Sequence, residues 1–141
     1  MRDLGALDGA PESQAVGINA GGQVAGWSSK ATHTGNAFVW REGGGMRDLG
    51  SSEAAFDVRA TGINAFGQIV GTAFGLEHGM SAFVWTKSTG TRLLNGLIPA
   101  DSGWTLNVAS TLNNMGQIAG YGMIEDQTHA FLLTPITSSS K

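Results

Sequence analysis

One period runs through this sequence and constrains the fold more than any single motif. "GINAGGQVAG" from Gly17 returns as "GINAFGQIVG" from Gly62 and as "TLNNMGQIAG" from Thr111, steps of 45 and 49 residues. "AFVW" at Ala37 recurs unchanged at Ala82 and as "AFLL" at Ala130, steps of 45 and 48. "MRDLG" at Met1 recurs at Met46 and, more loosely, as "TRLL" at Thr91, both steps being 45. Three motifs with one shared spacing make the chain an array of three units, and the fold has to be built from that unit.

Each unit predicts four short strands. Asn-x-x-Gly between "VGIN" and "QVAG" has the composition of a tight turn, with Asn at its first position and a Gly able to take positive φ at its last. "AFVW" is a β-favouring apolar run that leads through "REGGG" or "TKSTG" into "MRDL" or "TRLL", a second hairpin. No segment carries a helical period over two turns. The class predicted is all-β, one repeat domain over 1–141, with units at 15–50, 60–95 and 108–134 and a tail at 135–141.

The run "AFVW" does not alternate apolar with polar, the pattern of a strand covered on both faces. Sheets stacked around an axis as propeller blades bury their middle strands in this way, and about 45 residues per four-stranded blade suits that architecture. The alternative is a β-trefoil, which also holds three four-stranded units. The third unit has no "MRDL" strand after Ala130, whereas residues 1–5 form such a strand ahead of the first unit. The expectation is that the N-terminal strand completes a last blade. Three blades are too few for a ring, so a homodimer closed to six blades is predicted, an isologous pairing that also hides sheet edges.

Composition excludes several classes. Only 8 Lys and Arg are scattered along a chain of net charge -3, no footprint for nucleic acid. No run approaches the roughly 18 apolar residues of a membrane span. There is no Cys, hence no thiol chemistry and no disulfide framework. Charged residues are only 13% of the chain, while 22 Gly imply many turns and close backbone approaches. No charged-then-apolar leader opens the sequence, which suggests a cytosolic chain, a processed one or a piece of a longer protein.

The combination "GINAGGQVAGWS", "AFVW" and "MRDLG" resembles the bacterial HAF repeat family, named for a His-Ala-Phe core. His129-Ala130-Phe131 matches that tripeptide, while Asn36 and Ser81 replace its His in the other two units. The resemblance covers nearly the whole chain. It implies a secreted or cell-surface repeat protein with no established catalytic role, and it transfers no functional residue.

Candidate site residues follow from the repeat. His33 and His78 are equivalent, with Asp126 at the third position; in a closed trefoil they would offer a divalent-ion site, but loop His with no fixed partner more commonly faces solvent. The triplicated Asn19, Asn64 and Asn113 with Gln23, Gln68 and Gln117 would line a ring face for sugar hydroxyls, or simply close Asx-type turns, which is the favoured reading. Arg2, Arg47 and Arg92 read as a solvated outer edge. Trp40 and Trp85 interchange with Leu133 and read as packing. Trp27 and Trp104 are the ligand candidates, because indole stacks on sugars and anchors interfaces.

Nucleophile elbow, phosphate loop and His-Glu-x-x-His are all absent from the sequence. Carboxylates such as Glu77 with Asp126 would need the fold to bring them together for glycoside hydrolysis. The function expected is a non-enzymatic module with no cofactor, a scaffold for a protein or other ligand. Variable loops at Ser28 to Asn36, Thr72 to Ser81 and Tyr121 to Thr128 would make the contacts. The alternatives are a carbohydrate-binding, lectin-like propeller and a purely structural fragment that assembles with itself.

Overall fold

A computed structural model describes residues 1–29, 35–50, 55–75 and 79–136, with backbone alone at 55 and 56. The chain is all-β. Among the described residues the strands are β1 (Glu12–Ile18), β2 (Val24–Ser29), β3 (Gly35–Arg41), β4 (Gly45–Asp48), β5 (Ala55–Ile63), β6 (Ile69–Gly75), β7 (Gly79–Thr86), β8 (Gly90–Leu93), β9 (Trp104–Leu112), β10 (Ile118–Ile124) and β11 (Gln127–Leu133). Among the described residues helix is confined to single 3₁₀ turns at Leu7–Gly9 and Leu94–Gly96.

Three antiparallel meanders follow one another, β1 to β4, β5 to β8 and β9 to β11. One parallel bridge, Gly35 to Asp57, joins the first two into a single sheet, and the third is a separate three-stranded sheet. The described strands close no barrel, so the trefoil alternative, which needs one, is not the arrangement here.

The first hairpin of each meander has the predicted turn. Gly22, Gly67 and Gly116 take φ of 82°, 78° and 81°, and their N–H groups donate to the carbonyls of Asn19, Asn64 and Asn113 at 3.1 Å each. A bulge then recurs in each unit, leaving Val16, Thr61 and Ser110 without an opposite residue. It pushes the carbonyls of Gln14, Arg59 and Val108 towards Gly26, Gly71 and Gly120, where a Cβ would collide with them. The Gly at the end of "QVAG", "QIVG" and "QIAG" is therefore required by close backbone approach.

The core lies between successive meanders. One cluster joins Ala25, Ala37, Val39 and Leu49 of the first to Val58, Ala60, Ile69, Phe83 and Trp85 of the second. A second joins Val70, Ala82, Val84 and Leu94 to Leu106, Ala109 and Ile118. Successive residues of β7 alternate between the two clusters, so the uninterrupted apolar run "AFVW" is explained by burial on both faces of the middle meander. The outer faces lack such cover: Leu132 is 65% exposed, although its equivalents Val39 and Val84 are 8% and 7% exposed.

Residues 1–6 form no strand within their own chain. Arg2 pairs with Glu42, and its guanidinium lies 5.1 Å from the Trp40 ring centroid.

Candidate functional site

The seams between meanders collect the polar residues that the repeat triplicates. Asn64 is 4% exposed, and its Oδ1 accepts the N–H of Phe66 and of Gln68 at 3.0 Å, closing the turn. Its Nδ2 donates to Gln68 Oε1 at 2.7 Å and to the Asn113 carbonyl of the next unit at 3.0 Å. Asn19 does the same one unit earlier, donating to the Asn64 carbonyl at 3.0 Å. The Asx-turn reading thus holds, and the same side chain also ties each unit to the next. At the end of this ladder Asn113 closes its own turn but has no described acceptor beyond Gln117 Oε1 at 2.8 Å.

The recurring Arg also crosses the seam. Arg47 on β4 lies 5.4 Å from the ring centroid of Trp85 on β7, the step that Arg2 makes to Trp40. Arg2 to Trp40 and Arg47 to Trp85 are both 38 residues apart; in the third unit the position equivalent to those Trp is Leu133, 41 residues after Arg92. Arg47 is therefore an inter-unit contact rather than merely a solvated charge. A guanidinium over an indole face is electrostatically favourable, by about 0.5–1 kcal/mol at an exposed site.

Each seam holds an open cavity at this point. Between the first two meanders it is about 230 Å³, lined by Gln23, Val39, Arg47, Gly67 and Trp85 among others. Between the second and third it is about 480 Å³, and the equivalent positions hold Gln68, Val84, Arg92, Gly116 and Leu133. The loop residues Leu97, Ile98 and Pro99 help to line the larger one.

The ligand candidates fall in different places. Trp27 on β2 is 8% exposed, and the Arg59 guanidinium lies 4.2 Å from its ring centroid, held at 3.1 Å by Asp57. That ring face is occupied by protein. Trp104 opens β9 in the other sheet, half-buried and edge-on to Phe131 at 6.2 Å, beside a cavity of about 290 Å³ bordered by Ile98, Pro99 and Ser102. Asp126 sits in the exposed two-residue turn between β10 and β11, with φ of 64° following Glu125 at 50°. His33, His78 and Glu77 lie outside the described residues, so neither the ion site nor the carboxylate pair is assembled by described positions. Among the described residues no three His, Asp or Glu side chains converge on a common centre.

Sequence reasoning missed the Asn ladder, the Arg–Trp stacks and the unequal seams. For the stacks the signal was present as the shared 38-residue step from Arg2 to Trp40 and from Arg47 to Trp85. Among the described residues no helix is long and apolar enough to cross a membrane. Compared with protein-family models, curated proteins and solved structures, the chain matches none of them.

Proposed function

We propose that this chain is a non-enzymatic, propeller-type repeat module that closes with a second copy into six sheets and serves as a binding scaffold of a secreted or cell-surface protein. The observation that carries the reading is the exposure of Leu132, 65% where its equivalents under a following sheet are 8% and 7%. An apolar position that two units bury and the third exposes calls for another sheet against it.

The pairing follows from the units' own register. β3 pairs with β4 through Phe38–Asp48, Val39–Arg47 and Trp40–Met46. By the same register Asp3 of one copy pairs with Phe131 of the other, Arg2 with Leu132 and Met1 with Leu133. Arg2 already lies over Trp40 as Arg47 lies over Trp85, so residues 1–4 can join the partner's β11 without leaving their own first unit. The closing seam would also give Asn113 Nδ2 an acceptor at the partner's Asn19. Light scattering tests the reading: twice the 14.6 kDa chain mass is expected, and a monomer at every concentration rejects it.

The extracellular placement and the absence of catalysis rest on the HAF resemblance and on the lack of a catalytic constellation in the sequence. A lectin-like function is the second reading, favoured by the half-buried Trp104 beside its cavity. A glycan array with wild type and Trp104→Ala separates it from a protein-binding or purely structural role.

A further inference from the structure

We propose that the seam between the second and third meanders is a binding site for a small aromatic carboxylate, its ring taking the place of a missing indole and its acid group meeting Arg92. The inference stands apart from ring closure, because both walls of this seam belong to one chain.

The argument compares equivalent positions. At the first seam Trp85 is 5% exposed and carries Arg47 on its face, and the residual cavity is about 230 Å³. At the second seam Leu133 stands where Trp85 stands, paired to Ile118 as Trp85 is paired to Ile69. The cavity there is about 480 Å³, and Arg92 lines it from β8 as Arg47 lines the first seam from β4. Among the described residues Arg92 has neither an ion pair nor an aromatic ring beneath it.

The chemistry of the lining selects the ligand. Val84, Leu94, Ile98, Ile118 and Leu133 give walls that suit a flat hydrocarbon ring. A guanidinium at the rim attracts a ring face and binds a carboxylate in bidentate fashion. The other described polar groups at this site, Gln68, Thr86 and Thr134, are uncharged, so among the described residues Arg92 is the one charged side chain lining the cavity. Lys87 and Arg41, which line the first seam, have Pro135 and Thr86 as their counterparts, leaving the second seam more apolar.

Isothermal titration of the full chain with indole-3-acetate and with neutral 3-methylindole tests the site. Saturable binding of one acid per chain is expected, abolished in Leu133→Trp, which restores the indole. Arg92→Gln should weaken the acid about tenfold or more, a loss of roughly 1.4 kcal/mol or more, while leaving 3-methylindole within about twofold. Arg92 lies on an exposed strand edge, so that variant remains informative if Leu133→Trp folds poorly. Absence of saturable binding, undiminished affinity in Leu133→Trp, or equal losses for acid and neutral ring in Arg92→Gln would overturn the assignment.

Discussion

Asn64 donates its Nδ2 proton to the backbone carbonyl of Asn113 at 3.0 Å, across the seam between two sheets that share no strand pairing. The same side chain accepts two N–H groups of its own turn. Local turn closure and attachment to the next unit therefore depend on one buried amide.

Replacing it should be costly. Asn64→Ala leaves two turn N–H groups, Gln68 Oε1 and the Asn113 carbonyl short of partners, and unmet buried groups cost about 1–3 kcal/mol each before water compensates. A loss of about 2–4 kcal/mol is expected in urea unfolding. Asn113→Ala, where the amide makes no described contact to a further unit, should cost the isolated chain about 1–2 kcal/mol. Equal losses would show that the inter-unit bond contributes nothing.

Gly71→Ala should be among the most damaging single substitutions in the chain. A Cβ there meets the Arg59 carbonyl and lies 2.7 Å from the Phe83 ring, and both are held by strand pairing. About 3 kcal/mol or more is expected. Gly96→Ala, with open space around its Cβ, should stay within about 0.5 kcal/mol, which makes it the control in the same thermal melt.

Trp85→Leu should reproduce at the first seam what the second already has. The indole is packed in the inter-sheet cluster and supports Arg47, so its loss combines a cavity with a broken stack. Together these predict about 2–4 kcal/mol of destabilisation by chemical denaturation. Arg47→Ala alone should cost under about 1 kcal/mol, and a larger value would mean that the guanidinium is doing more than covering the ring.

Two copies should be trappable covalently. The chain has no Cys, so Arg2→Cys with Leu132→Cys introduces the only thiols, placed at the positions equivalent to the Val39–Arg47 pair. Oxidation should give a disulfide-linked dimer on a non-reducing gel. A cross-link confined within single chains would argue instead for closure of one chain on itself.

Disrupting the exposed apolar position should separate assembly from folding. Leu132→Glu removes no contact comparable to those of Val39 or Val84, since the side chain is 65% exposed in the single chain. The monomer's melting temperature should hold while the dimer is lost in light scattering. A folded dimer in this variant would place the interface elsewhere.

Much of the local structure was written in the residue order. Asn19, Asn64 and Asn113, each followed three residues later by Gly, fixed the first hairpin of each unit, and "AFVW" announced two-faced burial before any sheet was seen. The role of Arg47 was not legible: charge on a short terminal strand reads as solvent exposure, and only the neighbouring sheet supplies the Trp85 ring. Trp27 illustrates the converse, for an indole in a variable position suggests a ligand until Arg59 is found over it.

The sequence by itself determined the unit, its turns, its strand alternation and the repetition of both, because these depend on side chains a few residues apart acting through backbone geometry. The tertiary structure decided what lies between units: the acceptors of the Asn19 and Asn64 amides, the ring beneath Arg47, and the larger cavity beside Leu133. Those contacts join residues 38 to 49 positions apart. Their meeting depends on how far one sheet is rotated and shifted over the next, a quantity set by the packing of both faces together and by no single segment.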